Sequence, residues 1–294
     1  MTGCVHTDVM PTHQLMQRIA GIIGASVLAA WSVVAVSSDT TAVVPAQGWR
    51  FSVFAQDIMK VDNLALGADG LVYATLELSA GKGKVVRLRN TGSEVVVDGL
   101  DTPDGLFARD KFLYAVEEVN HGRVLEIDTA TGKHRTLARL YRPEGIGILP
   151  NGDLALSEDS ANGRLVRLSS DGQIETILGG LNRPEGLCVG KDGTIFFAET
   201  GTGRVQAFKD GNVRNLAVDL DYPDQVRLAP DGALWITEDS PRGRLMRLKD
   251  GGLHVILSGL YLPQGMLFLP NGTLLLAEQG RGRILVVTRD EPAP

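Results

Sequence analysis

Carboxylates recur in this chain directly after proline and before glycine. Pro103-Asp104-Gly105, Pro143-Glu144-Gly145 and Pro184-Glu185-Gly186 carry the step in full, and Pro223-Asp224-Gln225 and Pro263-Gln264-Gly265 carry it with one residue exchanged. Counting back from Asp69-Gly70 puts Asp62 at the same place one period earlier, flanked by Val61 and Asn63. The set Asp62, Asp104, Glu144, Glu185, Asp224 and Gln264 offers oxygen donors alone, with no organised His or Cys beside it. Such donors suit a hard divalent cation, Ca2+ first and Mg2+ or Mn2+ next. If they converge, two like charges at about 4 Å and an effective dielectric near 20 repel by roughly 4 kcal/mol. Protons, a guanidinium or a bound cation must then relieve them. Arg142 and Arg183, each just before its proline, are the obvious basic neighbours.

A second acidic set has the same period: Glu117, Glu158, Glu199, Glu238 and Glu278, with Glu77 shifted by one position. Each is followed by a base, namely Arg123, Arg164, Arg204, Arg244 and Arg283, and Lys84 in the first repeat. One acid and one base per repeat on adjacent strands predicts a structural ion pair rather than a catalytic group.

The elements that must position these groups follow from the period. The steps lie 143−103 = 40, 184−143 = 41, 223−184 = 39 and 263−223 = 40 residues apart. A fixed period near forty marks stacked supersecondary units. Within one unit, Gly186–Gly190, Thr194–Ala198, Arg204–Phe208 and Val213–Ala217 read as four short strands joined by Asp-Gly turns at 192–193 and 210–211 and a short Gly-rich loop between them, with no helical periodicity. Four antiparallel strands per unit, six times over, predict an all-β six-bladed propeller across 47–294. The last unit stops after Ile284–Thr288, and the segment 49–55 alternates like a fourth strand. It is expected to complete the last blade and close the ring, leaving no open sheet edge. Both acidic sets then fall on one face, the first at the starts of the channel-lining strands.

The chain has 294 residues, 44% of them hydrophobic, and a formal charge of −6. The acidic balance and the lack of a basic stripe argue against a nucleic-acid partner. Residues 19–36 are apolar and uncharged and follow Arg18. Residues 1–46 therefore read as a secretory leader, with candidate cleavage points near Ala42 or Ala46, and translation starting at Met1 or Met16. Uncleaved, the segment would anchor the protein in a membrane. Either way the body is expected to be periplasmic or secreted. Cys4 precedes the leader segment and Cys188 lies in a strand, so no disulfide is expected.

Pro-Glu-Gly-Ile-Gly-Ile-Leu-Pro-Asn-Gly (143–152) and Gly-Thr-Gly-Arg-Val (201–205) resemble NHL-type repeats. The Pro–x–Gly steps resemble those of the SMP-30/gluconolactonase/strictosidine-synthase group of six-bladed propellers, over about 49–290. That resemblance implies a divalent cation, often calcium, at the top of the channel. It places the ligands at Asp62, Glu144, Glu185 and Asp224, with Asp224 doubling as the proposed base. Glu144 and Glu185 stand where the group has amides, and Gln225 where it has glycine. The segments 235–238 and 196–199 also resemble streptogramin-type lyases, which have seven blades and a catalytic histidine. Six blades are counted here, and His121 is the histidine near the face.

Two functions are open at this point. One is a divalent-metal-dependent hydrolase of a lactone or related ester, with Asp224 taking a proton from water and Arg142, Arg183, Tyr222, Tyr261 and Leu262 bordering the substrate. The other is a non-catalytic propeller that binds a small ligand, a metal or a protein. A lyase or a sugar oxidoreductase ranks lower. No Gly-x-Ser-x-Gly elbow, phosphate loop or His-Glu-x-x-His motif is present.

Overall fold

Strand alternation and Asp-Gly turns build each repeat into a four-stranded antiparallel sheet. In the fourth repeat the strands are Pro184–Val189, Ile195–Glu199, Arg204–Lys209 and Asn212–Ala217, paired in that order. Gly193 takes φ +83°, which the turn between the first two strands requires, and its N–H donates to the Gly190 carbonyl. The computed structural model describes residues 43–89 and 92–290. Residues 1–42 of the expected leader, with Cys4 and the cleavage point at Ala42, lie outside the described residues.

Six such sheets are present. Their innermost strands are Val61–Leu66, Pro103–Arg109, Pro143–Ile148, Pro184–Val189, Pro223–Leu228 and Pro263–Phe268. Each packs against the innermost strand of the next sheet, and the sixth packs against the first. This is the expected six-bladed propeller. Its core lies between blades; Leu106, Leu113 and Leu125 of blade 2, for example, are buried against Tyr73, Val85 and Leu100 of blade 1. A repeated contact sets the period. A Cβ on Gly83, Gly122, Gly163 or Gly243 would overlap the ring of Pro103, Pro143, Pro184 or Pro263 in the following blade. At these four seams the glycine before the base and the proline before the acid are two halves of one interblade packing contact; Gly203 meets the Leu220 backbone and Gly282 the Ile58 backbone instead.

The ring closes as expected. Trp49–Ala55 pairs antiparallel with Arg283–Arg289 and forms the outer strand of blade 6. A feature with no sequence signal precedes it. Val44–Pro45 pairs with Gly252–Leu260 as a fifth strand on blade 5. The Ala46 N–H donates to the Ile256 carbonyl at 2.9 Å. Val43 is buried with Trp235 and Leu257 of blade 5. Trp49, on blade 6, meets Trp235 edge-on with ring centroids 5.4 Å apart. The N-terminal strap therefore stitches blade 5 to blade 6.

The expected Glu–base pairs form in four blades. Arg123 grips Glu117 through two bonds of 2.5 Å, and Arg244 grips Glu238 likewise. Arg164 holds Glu158 at 2.5 Å, and Arg283 holds Glu278 at 2.5 Å with Arg281 as a second base. Each glutamate also accepts the N–H of Asp101, Tyr141, Asp221 or Tyr261, which fixes the approach of the chain to its innermost strand. Blades 4 and 1 depart. In blade 4 the Thr202 hydroxyl donates to Glu199 at 2.6 Å and the Asn182 N–H takes its other oxygen, while Arg204 is exposed and makes no ion pair with it. In blade 1 Leu76 occupies the glutamate position, opposite Lys84. Glu77 lies elsewhere, so the expected Glu77–Lys84 pair is absent.

Two stability outcomes are expected. Arg244→Ala strands a buried carboxylate and should cost about 2–4 kcal/mol in denaturant unfolding, whereas Arg204→Ala should fall within about 0.5 kcal/mol; equal costs would refute the assignment of the clamps. A chain starting at Gln47 loses the Val43 burial and should be less stable by about 2 kcal/mol, lowering Tm by roughly 4–8 °C. An unchanged Tm would mean the strap is not structural.

Candidate functional site

A bulge aims the acids. In every blade the register between the two innermost strands slips just after the first residue, between Pro143 and Ile146 in blade 3 and at the equivalent places elsewhere. The acid and the residue after it therefore sit outside the ladder, which re-aims their side chains. The freed N–H groups of Asn63, Gly145 and Gln225 are taken by the hydroxyls of Thr75, Ser157 and Thr237. All six predicted residues, Asp62, Asp104, Glu144, Glu185, Asp224 and Gln264, are buried in an inner ring.

A second ring lies against the first. It consists of the residue just after the end of each second strand: Glu77, Glu118, Asp159, Thr200, Asp239 and Gln279. Their N–H groups donate to the carbonyls of Lys60, Thr102, Arg142, Arg183, Tyr222 and Leu262 at 2.8–3.0 Å. Glu77 belongs here, in place of its expected role as a structural partner of Lys84. Glu118, Asp159, Asp239 and Gln279 are not among the residues the sequence pattern singles out. The signal was available, since each immediately follows an outer glutamate, but Leu76 breaks that column in blade 1.

Amides and bases relieve part of the ring. Asn63 Nδ2 bridges Asp62 and Asp104 at 2.9 and 3.0 Å. Gln279 Nε2 bridges Asp62 and Glu77 at 2.8 Å each, and Lys60 Nζ donates to its Oε1 at 2.9 Å. Arg142 binds Glu118 and Asp159; Arg183 binds Asp159 at 3.2 Å and Glu185 at 2.6 Å. Glu185 also accepts from Thr200 Oγ1 at 2.6 Å. Blades 3 to 5 are left short of donors. Glu144 accepts no hydrogen bond among the described residues, and the buried Oδ2 of Asp224 has no partner, its Oδ1 taking only the Gln225 amide at 3.0 Å.

Burial is the largest cause of the resulting electrostatics, with mutual repulsion next. Asp62, Asp104, Glu144 and Asp224 are all held well above the ordinary carboxylate range. Glu118 is pushed up to about 7 by burial against the pull of Arg142, and Glu185 to about 8 against the pull of Thr200 and Arg183. Burial raises Asp239 as well.

Glu144, Glu185 and Asp224 each offer a carboxylate oxygen, the three atoms lying within 4.8 Å of one another. Three oxygens no further apart than that lie within about 2.8 Å of a common centre, a small inward movement from the roughly 2.3–2.6 Å of calcium–oxygen bonds. The orphaned Asp224 Oδ2 and the unbonded Glu144 fit a hard cation. Glu118, Glu144 and Asp159 form a comparable group, but the Arg142 guanidinium already binds two of its members. Asp62 and Asp104 lie across the ring, engaged by amides, and Gln264 sits beside Asp239, whose carboxyl it helps keep charged. Of the other expected site residues, Arg142 and Arg183 reach the rings directly, while Tyr222 and Tyr261 are exposed at the mouth. His121, His134 and His254 are exposed and belong to neither ring.

No protein-family profile matches the chain, and no curated protein matches its sequence. Solved structures do match. A gluconolactonase from Xanthomonas campestris is 17% identical with a TM-score of 0.71, over 87% of this chain and 94% of the other. An oxidoreductase of proposed glucose dehydrogenase type from Thermus thermophilus is 15% identical with a TM-score of 0.67, over 82% and 100%. Virginiamycin B lyase from Staphylococcus aureus is 19% identical with a TM-score of 0.58, over 81% and 83%. The fold is thus shared with gluconolactonase-like propellers, as the repeat resemblance implies.

The raised carboxylates give stability a definite pH dependence. Unfolded, they would titrate near pH 4; folded, they hold protons up to about pH 7 for Glu118 and about 8 for Glu185. Between these limits the unfolded chain binds fewer protons, so stability falls as pH rises. Groups lowered by folding, such as Asp231 at about 2, act only below that window. Metal-free protein should therefore lose Tm steadily from pH 5 to pH 8 in thermal scans, and Ca2+ should raise Tm more at pH 8 than at pH 5. A flat Tm would contradict the buried acid rings.

Proposed function

We propose that the protein is a divalent-cation-dependent hydrolase of a lactone or related ester. The observation that carries this reading is the buried, partnerless Oδ2 of Asp224 lying with Glu144 and Glu185 at one end of the channel. Glu144, Glu185 and Asp224 would hold the cation, Ca2+ by the hardness of the donor set. When bound, the cation polarises the substrate carbonyl and lowers the pKa of water. With the Asp224 Oδ2 turned to the cation, its Oδ1, which accepts only the Gln225 amide, keeps a lone pair to take a proton from the attacking water. Arg142 and Arg183 are anchored by Glu118, Asp159 and Glu185. They would orient the polar end of the substrate and stabilise negative charge as the carbonyl becomes tetrahedral. The likeness to gluconolactonase in fold is consistent with this assignment. The lyase alternative has no residue in its favour, since none of the described histidines stands in either ring.

We also propose that the protein is exported and that its leader is cut at Ala42 rather than Ala46. Cleavage at Ala42 keeps the strap that begins with the buried Val43, and cleavage at Ala46 removes it.

Protein purified without chelator should retain a stoichiometric divalent cation in elemental analysis. It should hydrolyse members of a panel of five- and six-membered lactones. Chelator should abolish the activity and Ca2+ restore it. Asp224→Asn should lower kcat/KM by about a hundredfold or more and weaken cation binding. Hydrolysis indifferent to both chelator and Asp224→Asn would overturn the reading.

A further inference from the structure

The residue before the first strand of each blade has a left-handed backbone in all six repeats. These are Lys60, Thr102, Arg142, Arg183, Tyr222 and Leu262, with φ between 44° and 58°. A non-glycine residue rarely adopts this conformation. Here the backbone is fixed on one side by the bond from the second-ring N–H to its carbonyl. The side chains therefore leave the backbone in equivalent directions. Three of them show where that direction leads, for Lys60, Arg142 and Arg183 all reach groups of the two rings. Tyr222 and Leu262, at the same position with the same φ, border the same mouth.

The mouth is thus divided by chemistry. Cationic side chains project from blades 1, 3 and 4. Blades 5 and 6 present a phenol ring and an isobutyl group, next to the end of the inner ring where Asp224 lies. Tyr261 widens this sector, since its ring lies over Gly280, beside Gln279 of the second ring. Tyr222 is 57% and Tyr261 40% exposed. Neither phenol oxygen has a hydrogen-bond partner among the described residues, so neither ring is held by a polar role within the fold.

We infer that the sector formed by Tyr222, Tyr261 and Leu262 binds an apolar arm of the substrate. The substrate class is then a lactone or ester carrying an alkyl or aryl substituent, not a polyhydroxylated sugar lactone. A sugar would leave hydroxyls facing a leucine and two ring faces, which offer little to replace water, whereas an alkyl arm gains by burial there. The inference rests on the hydrolase reading for the reacting group, but the apolar sector can be tested without any reaction.

Lactams bearing one alkyl substituent, from methyl to hexyl, are non-hydrolysable isosteres of the matching lactones. Their affinity for the Ca2+-saturated full chain can be measured by calorimetry. Binding should tighten about two- to fourfold per added methylene, and a polyhydroxylated lactam should bind no better than the methyl compound. Tyr222→Asn and Leu262→Asn keep a residue that tolerates a left-handed backbone. The double variant, with its Tm checked, should flatten the series to under about 1.5-fold per methylene. A flat series in the wild type, a steep one in the double variant, or tightest binding of the polyhydroxylated lactam would overturn the inference. A steep lactam series with no hydrolysis of the corresponding lactones would support the apolar sector and overturn the hydrolase reading alone.

Discussion

Repulsion between buried carboxylates around one axis is the constraint on which the rest of this molecule depends. Asp62, Asp104, Glu144, Glu185 and Asp224 are brought together by the ring, and Glu77, Glu118, Asp159 and Asp239 are stacked against them. No chain would gather these groups for stability alone, because burial and mutual repulsion both oppose their charge. Each local feature of the mouth can be read as a response. Asn63 and Gln279 place amide donors between pairs of acids, and Arg142 and Arg183 lean in from the rim. What these devices leave unsatisfied is concentrated at Glu144, at Asp224 and at Asp239, whose buried Oδ1 also has no partner, and there the need for an external positive charge is greatest.

The scaffold resists that repulsion from outside. Five of the six blades end the second strand with a group that also holds the chain approaching the innermost strand, a Glu–Arg clamp in four and a Glu–Thr substitute in blade 4. The glycine-to-proline contact then locks one blade to the next at four of the six seams. The seam between blades 5 and 6 carries the added strap and the Trp49–Trp235 contact. A rigid rim suits a site whose donors must be held in place against their own repulsion.

Much of this is legible in the amino-acid order itself. The Pro–acid–Gly step recurs because a proline ring, a bulged acid and a tight backbone meet at one place in blades 2, 3 and 4, so Asp104, Glu144 and Glu185 announce themselves. Asp62 could be found by counting although its neighbours differ. The second ring is masked in the sequence because each of its members but Glu77 follows an outer glutamate that already has a basic or hydroxyl partner, and because Leu76 hides the true column of Glu77. The exception in blade 4 was not readable, since Thr202 replaces a guanidinium only once the loop geometry brings its hydroxyl to Glu199. Val44–Pro45 is too short for periodicity, and only its burial against blade 5 makes it a strand.

The amino-acid order alone determined the number of blades, the turn positions, the closing strand and the face on which the acids gather. These follow from a local period repeated along the chain, and local periods survive without knowledge of distance. The tertiary structure alone decided which acids are neutralised and which are not. Whether Arg142 reaches Asp159 or Glu144, and whether Asp224 keeps a bare oxygen, depends on separations of a few ångströms between side chains carried on different strands and blades. Electrostatic energy varies steeply over that range in a buried site, and no spacing in the sequence encodes it.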